Sequence, residues 1–317
     1  MSSACPGAGP RGPCVAVHRP VQLWTPTVHA LLRHLETVGF AGAPRVLGVD
    51  GQGHEVLTHL DGDVAGEELP WPAWVRSETA LRQMGARERR LHDVTESFVR
   101  PLDARWLAGQ TWRPGPIIGH HDAAPWNAVW RDGGLAGFFD WDTAGPSTRE
   151  FDLAFMALTW VPLYARGFAE RTGFTGFEDR SRRLHLLLDA YGYEGDRLEF
   201  QAVVAQWART NADVIRRMAA GGDPVYTALE PVAADLDQAA REVDLLPASF
   251  WLPPDRGHDN PLSHRAVRTA RTDTTGPDRH SRYRAHRTSG RFPGSLPRPR
   301  YGAAHSDSIH SPGSSST

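Results

Sequence analysis

The sequence predicts an α+β protein in two unequal parts, a reduced N-terminal β part and a mainly helical C-terminal part. Three observations predict it. Apolar residues recur at helical spacing through most of the chain after about residue 70. Two short strand-like runs flank a turn near residue 50. A second hairpin, centred on Asp132-Gly133-Gly134, interrupts the helical stretch. With 317 residues, 40% of them hydrophobic and 11 of them Trp, the chain has ample material for a buried core.

Residues 1–14 are rich in Pro and Gly and read as an unstructured leader. They lack the apolar stretch of a secretory signal. Cys5 and Cys14, the two cysteines, both fall there, so no disulfide staples the body. Gly7-x-Gly9-x-x-Gly12 spells a nucleotide-loop pattern without a strand before it, and reads as chance. Residues 15–60 form the small part. Thr25-Pro26 marks a helix start, with Thr as N-cap, and Val28, Leu31, Leu32, Leu35 and Val38 give a helix over 26–38 that Gly39 stops. Arg45–Val49 and Glu55–Leu60 read as strands around the turn Asp50-Gly51-Gln52-Gly53. Residues 61–252 form the large part, with helices expected at 77–93, 149–161, 178–191, 197–219 and 224–243. Residues 253–317 read as a disordered tail rich in Arg, Ser and Pro.

The formal charge of −2 hides an asymmetry. From Asp255 onward there are 11 Arg against 5 acids, whereas the rest of the chain has 24 Arg against 32 acids. An acidic body repels a phosphate backbone, so nucleic acid is not an expected partner. No apolar run approaches a membrane span. A cytoplasmic location is expected, with no obligate protein partner implied. All 35 Lys+Arg residues are Arg. That excludes a P-loop ending in Gly-Lys-Ser/Thr, a Schiff-base lysine and any catalytic lysine.

The middle segment carries chemistry. In Ile117-Ile118-Gly119-His120-His121-Asp122-Ala123-Ala124-Pro125-Trp126-Asn127, Asn127 lies about six residues before the hairpin centre. Asp140, in Phe139-Asp140-Trp141-Asp142, lies about seven after it. An antiparallel pair brings both to the open end of the hairpin, and Asp122 sits just upstream. A carboxamide and several carboxylates together suit magnesium, and a further Asp off the metal can take a proton. That division of labour belongs to phosphoryl transfer. A metallohydrolase built on His120-His121-Asp122 is disfavoured, because adjacent strand residues point to opposite faces.

His120-x-Asp122-x-x-x-x-Asn127 followed by Phe139-Asp140-Trp141-Asp142 resembles the catalytic core of the aminoglycoside phosphotransferase and choline kinase-like family. Ala144-Gly145-Pro146 and Glu150-Phe151-Asp152-Leu153-Ala154 extend the likeness, which covers roughly residues 15–245. The resemblance implies a two-lobed protein-kinase-like fold. It implies a small-molecule kinase that uses ATP or GTP and Mg2+ to phosphorylate a hydroxyl of a small acceptor. Asp122 matches the catalytic base, and Asn127 and Asp140 the metal ligands. His120 matches a loop-buttressing histidine, and Asp152 a buried aspartate that holds the loop. Thr58, His59 and Leu60 match the hinge whose backbone binds the nucleotide base. Trp126 and Trp141 have no fixed role in it, and Asp142 is either a third carboxylate near the metal or a contact to a cationic substrate.

The sequence also departs from the pattern. His121 stands where the family has Gly, a position that favours unusual backbone angles. The phosphate-gripping lysine of such kinases falls within Val15–Pro20, where Arg19, or else His18, must serve. Its helix glutamate falls near Val28 or His29, and an Arg–His pair is not an ion pair of opposite charge. The acidic body favours a cationic acceptor such as an aminoglycoside. The alternative is a kinase-like ligand-binding protein that has lost its grip on nucleotide and does no catalysis.

Overall fold

In a computed structural model, residues 16–66, 69–107 and 117–253 are described. The expected leader, both cysteines, Gly7-x-Gly9-x-x-Gly12 and the tail beyond Pro253 lie outside the described residues.

The chain enters on β1 (Ala16–Pro20) and turns into α1 (Thr25–Thr37). Thr25 is the first helical residue rather than the cap. Trp24 holds the cap position, and the Thr25 hydroxyl instead accepts the Gln22 N–H at 2.8 Å. Val28, Leu31, Leu32 and Leu35 bury one face of α1, and Gly39, at φ 72°, turns the chain out. β2 (Val46–Val49) and β3 (His54–Thr58) form the expected hairpin. The Asp50 carboxylate closes its turn by accepting the Gln52 and His54 N–H groups. The three strands form one antiparallel sheet in the order β1-β3-β2. β3 stops at Thr58, short of the expected Leu60. Thr58 pairs with Ala16 and exchanges its last hydrogen bonds with Arg45.

β4 (Asp63–Val64) then joins the central hairpin, pairing with β6 (Ala128–Arg131), which pairs with β7 (Gly134–Phe138). Asp132 and Gly133, at φ 52° and 77°, make the tight turn that Asp-Gly favours. β5 (Ile117–Gly119) and β8 (Gly145–Ser147) form a third small sheet.

The rest is helical: α2 (Glu78–Thr95), α3 (Arg149–Trp160), α4 (Arg166–Arg171), α5 (Arg180–Tyr191), α6 (Arg197–Ala220), α7 (Pro224–Thr227), α8 (Glu230–Asp244) and α9 (Ala248–Trp251). Ser77, Thr148 and Asp196 cap α2, α3 and α6 with side-chain oxygens. The single helix expected over 224–243 is split into α7 and α8 by Pro231. Its ring would meet the carbonyl of Thr227 and it has no N–H to give. α2 packs closely on α5, and Gly85 makes that approach possible: a Cβ there would lie 2.7 Å from the Leu187 carbonyl oxygen. Trp141, Trp160, Trp207 and Trp251 are fully buried in one apolar core that also takes in the buried face of α1. The fold is α+β, as the sequence predicts. Among the described residues no helix is long and apolar enough to cross a membrane.

Candidate active site

The loop from β5 to β6 is anchored by one carboxylate. Asp152, in the first turn of α3, accepts the backbone N–H of His120 at 3.2 Å and of His121 at 3.0 Å. Gly119 is required beside it, since a Cβ there would lie 2.5 Å from the Asp152 carboxyl. His92 on α2 donates from Nε2 to Asp152 at 3.1 Å, meets the Tyr191 hydroxyl at 2.8 Å through Nδ1, and lies 3.0 Å from Glu88 Oε1. These groups are buried, and their charges are set by one another. Burial opposes charge on Asp152, but His121 and His92 hold its carboxyl far below the usual carboxylate range. Burial likewise opposes charge on His92, yet its bonds to Asp152 and Glu88 hold it well above the ordinary imidazole range. Glu88 is pushed up to about 8, by burial first and by Asp152 second. The donor atoms of Glu88, His92 and Asp152 lie within 4.8 Å of one another.

His120 and His121 are pushed down to about 4 by burial, so both are neutral near pH 7. His120 accepts the Asp122 N–H on Nδ1, which leaves Nε2–H to donate to the Phe139 carbonyl. It thus ties the loop to the end of the hairpin. His121 sits at φ 64°, the left-handed conformation expected of the glycine it replaces. Its ring meets the Gly145 carbonyl at 3.1 Å and lies 3.2 Å from Asp152, contacts a glycine could not make.

Asp122 follows, nearly buried. Its Oδ1 accepts the Trp126 indole N–H at 3.1 Å, and its Oδ2 accepts Asn127 Nδ2 at 2.7 Å. Two donors therefore fix the orientation of the carboxylate. Asn127 Nδ2 also reaches the Asp122 carbonyl at 2.9 Å, which leaves Asn127 Oδ1 buried with no hydrogen-bond partner. A lone buried amide oxygen is a group that needs a ligand. The register places Ala128 opposite Phe138, and Phe139 N–H donates to the Asn127 carbonyl. Asp140 is thus one residue past the direct partner of Asn127, because a bulge between Val129 and Trp130 shifts the pairing. Asp140 also adopts a left-handed conformation, at φ 62°.

Arg19, on β1, reaches this end of the hairpin. Its Nη2 lies 2.7 Å from Asp142 Oδ1 and its Nη1 3.3 Å from Asp142 Oδ2 and 3.5 Å from Asp140 Oδ1. Its Nε lies 2.6 Å from Glu55 Oε1, and Glu55 Oε2 lies 2.8 Å from His29 Nε2. The expected Arg–His pairing is therefore corrected: Arg19 and His29 meet through Glu55 on β3. Asp142 is pushed up to about 6 by burial, with Asp140 and Glu55 adding and Arg19 opposing.

The structure thus gathers Arg19, His120, Asp122, Asn127, Asp140, Asp142 and Asp152 around one loop. Thr58, His59 and Leu60 lie farther along β3 and past its end, where Thr58 bonds Arg45 and His59 bonds Asp61. Asn127 Oδ1 and the Asp140 carboxylate are hard oxygen donors of the kind magnesium takes, and the amide oxygen is buried without a hydrogen-bond partner, so these residues fit such an ion. Sequence reasoning missed Glu55, Glu88 and His92. Each had a signal. Glu55 alternates in phase with Leu57 on the buried face of β3. Glu88 and His92 share the buried stripe of α2 with Leu81, Met84 and Leu91.

Residues 94–186 match the family described as "Phosphotransferase enzyme family". The trifolitoxin immunity protein of Rhizobium leguminosarum bv. trifolii is 40% identical over 181 residues, which span 56% of this chain and 67% of that protein. The chain belongs to the phosphotransferase enzyme family. Among solved structures, a choline/ethanolamine kinase family protein from Mesorhizobium loti is 18% identical, covering 71% of this chain and 81% of its own, with a TM-score of 0.46. The macrolide 2'-phosphotransferase MphH from Brachybacterium faecium is 13% identical, covering 70% and 81%, with a TM-score of 0.42.

Proposed function

We propose that this chain is a small-molecule kinase that transfers the γ-phosphoryl group of ATP, or of GTP, to a hydroxyl of a small acceptor. The observation that carries the reading is the pair Asp122 and Asn127: a carboxylate fixed by two donors beside a buried amide oxygen with no partner. Asn127 and Asp140 would hold magnesium, which supplies neutralisation of phosphate charge. Asp122 would take the proton of the acceptor hydroxyl as its oxygen bonds the γ-phosphorus and the bond to the leaving diphosphate breaks. Asp152 and His120 keep that carboxylate in place through the loop backbone. The small part, residues 15–60, would supply the nucleotide's other contacts: Arg19 to the phosphates, and the backbone of Thr58, His59 and Leu60 to the base. The surplus of acids outside the tail favours a cationic acceptor such as an aminoglycoside. A cytoplasmic location goes with this reading.

One observation favours a second reading, a non-catalytic ligand-binding protein. All three guanidinium nitrogens of Arg19 contact this chain's own carboxylates. The relative named as an immunity protein fits it too. Calorimetric titration of Mg-ATP and Mg-GTP into the full chain separates the two. Binding that requires magnesium and is lost in Asp140→Asn supports the kinase. Phosphate transfer to an acceptor panel, lost by about a hundredfold or more in Asp122→Ala, then establishes catalysis. A folded protein that binds no nucleotide at millimolar concentration overturns the kinase reading in favour of the second.

A further inference from the structure

Arg19 and Glu55 are direct partners across β1 and β3, so their side chains leave the sheet on the same face. Glu55 is 1% exposed and occupies a core-facing strand position. A carboxylate there loses its hydration, a cost that only close partners offset. Both its oxygens have one: Oε1 lies 2.6 Å from Arg19 Nε, and Oε2 lies 2.8 Å from His29 Nε2, itself buried on α1. The Nε side of the guanidinium is thereby held against Glu55 by charge and close contact, without an aligned hydrogen bond. Its two Nη atoms face the other way and grip Asp142 as a fork, beside Asp140. That fork is the edge that binds phosphate bidentately, and a carboxylate of similar geometry occupies it here.

We propose that Glu55, clamped by His29, is the positioning residue that holds Arg19 with its Nη edge turned toward the nucleotide's phosphates. A strand-to-strand pair thus replaces the strand-to-helix pair of lysine-based sites, and the residue on the helix becomes a clamp. The inference rests on the nucleotide reading above. On binding, phosphate displaces Asp142 from the fork while Glu55 keeps Nε, so the cation is aimed in advance.

The test titrates Mg-ATP and adenosine separately into the full-length wild type, Arg19→Gln, Glu55→Gln and the double variant, after thermal melts confirm folding. Glu55→Gln weakens Mg-ATP by about tenfold to a hundredfold, the range for a lost charge-assisted bond, and leaves adenosine within about twofold. The double variant binds Mg-ATP no more weakly than Arg19→Gln alone, because Glu55 acts only through Arg19. His29→Leu reproduces the Glu55→Gln loss, and His29→Gln, which keeps a donor, restores most of the affinity; this pair carries the test should Glu55→Gln fail to fold. Three results overturn the proposal alone: wild-type Mg-ATP affinity in Glu55→Gln, additive losses in the double variant, or equal losses for adenosine. A wild type that binds neither ligand overturns the kinase reading and this proposal together.

Discussion

Asp152 and Asp142 are each a carboxylate beside a cationic group, yet their surroundings drive them in opposite directions. Asp152 is sealed. Two backbone N–H groups and His92 satisfy it, and Glu88 beside it is pushed up to about 8 and so holds a proton at neutral pH. Asp142 sits in a partly open cluster where Glu55, Asp140 and Asp142 share one guanidinium, and it is pushed up to about 6. The first cluster balances its charge internally and serves as an anchor. The second gathers three carboxylates around one guanidinium and so carries excess negative charge, the electrostatics that the proposed metal would relieve.

The sharpest way to break this contrast is to neutralise each carboxylate in turn. Asp152→Asn leaves a buried imidazolium without its counter-charge and costs about 3 kcal/mol or more in chemical denaturation. Asp142→Asn relieves repulsion from Asp140 and Glu55, and leaves stability within about 1 kcal/mol. Equal costs for the two would erase the distinction. Next in size is Trp126→Phe, which removes one of the two donors on Asp122. Its transfer rate should fall about tenfold with folding intact, measured in the same acceptor assay. An unchanged rate would show that the indole is not needed to orient the carboxylate.

A pH test sharpens the sealed side. Glu88 has a folded-state value raised from 4.5 to about 8, so the folded protein binds the extra proton. Its contribution is fully present below pH 4.5 and is lost as pH rises toward 8. His92, raised well above 6.5, loses stability in the same direction above its unfolded value. Below pH 6.5 the decline from Glu88 is opposed by His120 and His121, which are pushed down to about 4 and so add stability as pH rises from about 4 to 6.5. Wild-type stability should therefore decline from about pH 6.5 to 8, and Glu88→Gln should flatten that decline; parallel curves would refute a protonated Glu88 in the folded state. The smallest effect belongs to His59→Ala. A hinge that works through backbone groups should leave Mg-ATP affinity within about twofold, and a larger loss would assign the exposed imidazole a direct role.

The elements were legible because their periodicities are local. The apolar stripe of α1, the Asp132-Gly133 turn and the spacing from Asp122 to Asn127 to Asp140 are all read over short stretches of chain, and the structure brings those residues together. Glu55 and the Glu88–His92 pair were not, because their partners lie far away in sequence. Glu55 finds Arg19 from 36 positions off through strand pairing, and His92 finds Asp152 sixty positions on. A polar residue in phase with a buried stripe signals that such a partner exists without naming it. The split of α7 from α8 was legible at Pro231, where ring sterics outweigh the apolar periodicity.

The bonds from His120 and His121 to Asp152 have a kinetic consequence. Most protected amides in a protein exchange with solvent when a strand or helix frays. These two are held by a side chain from another element, so their protons exchange when α3 and the loop part company. The pair therefore keeps time for that separation: two neighbouring amides with one shared opening rate, readable in the intact protein without any ligand or substrate.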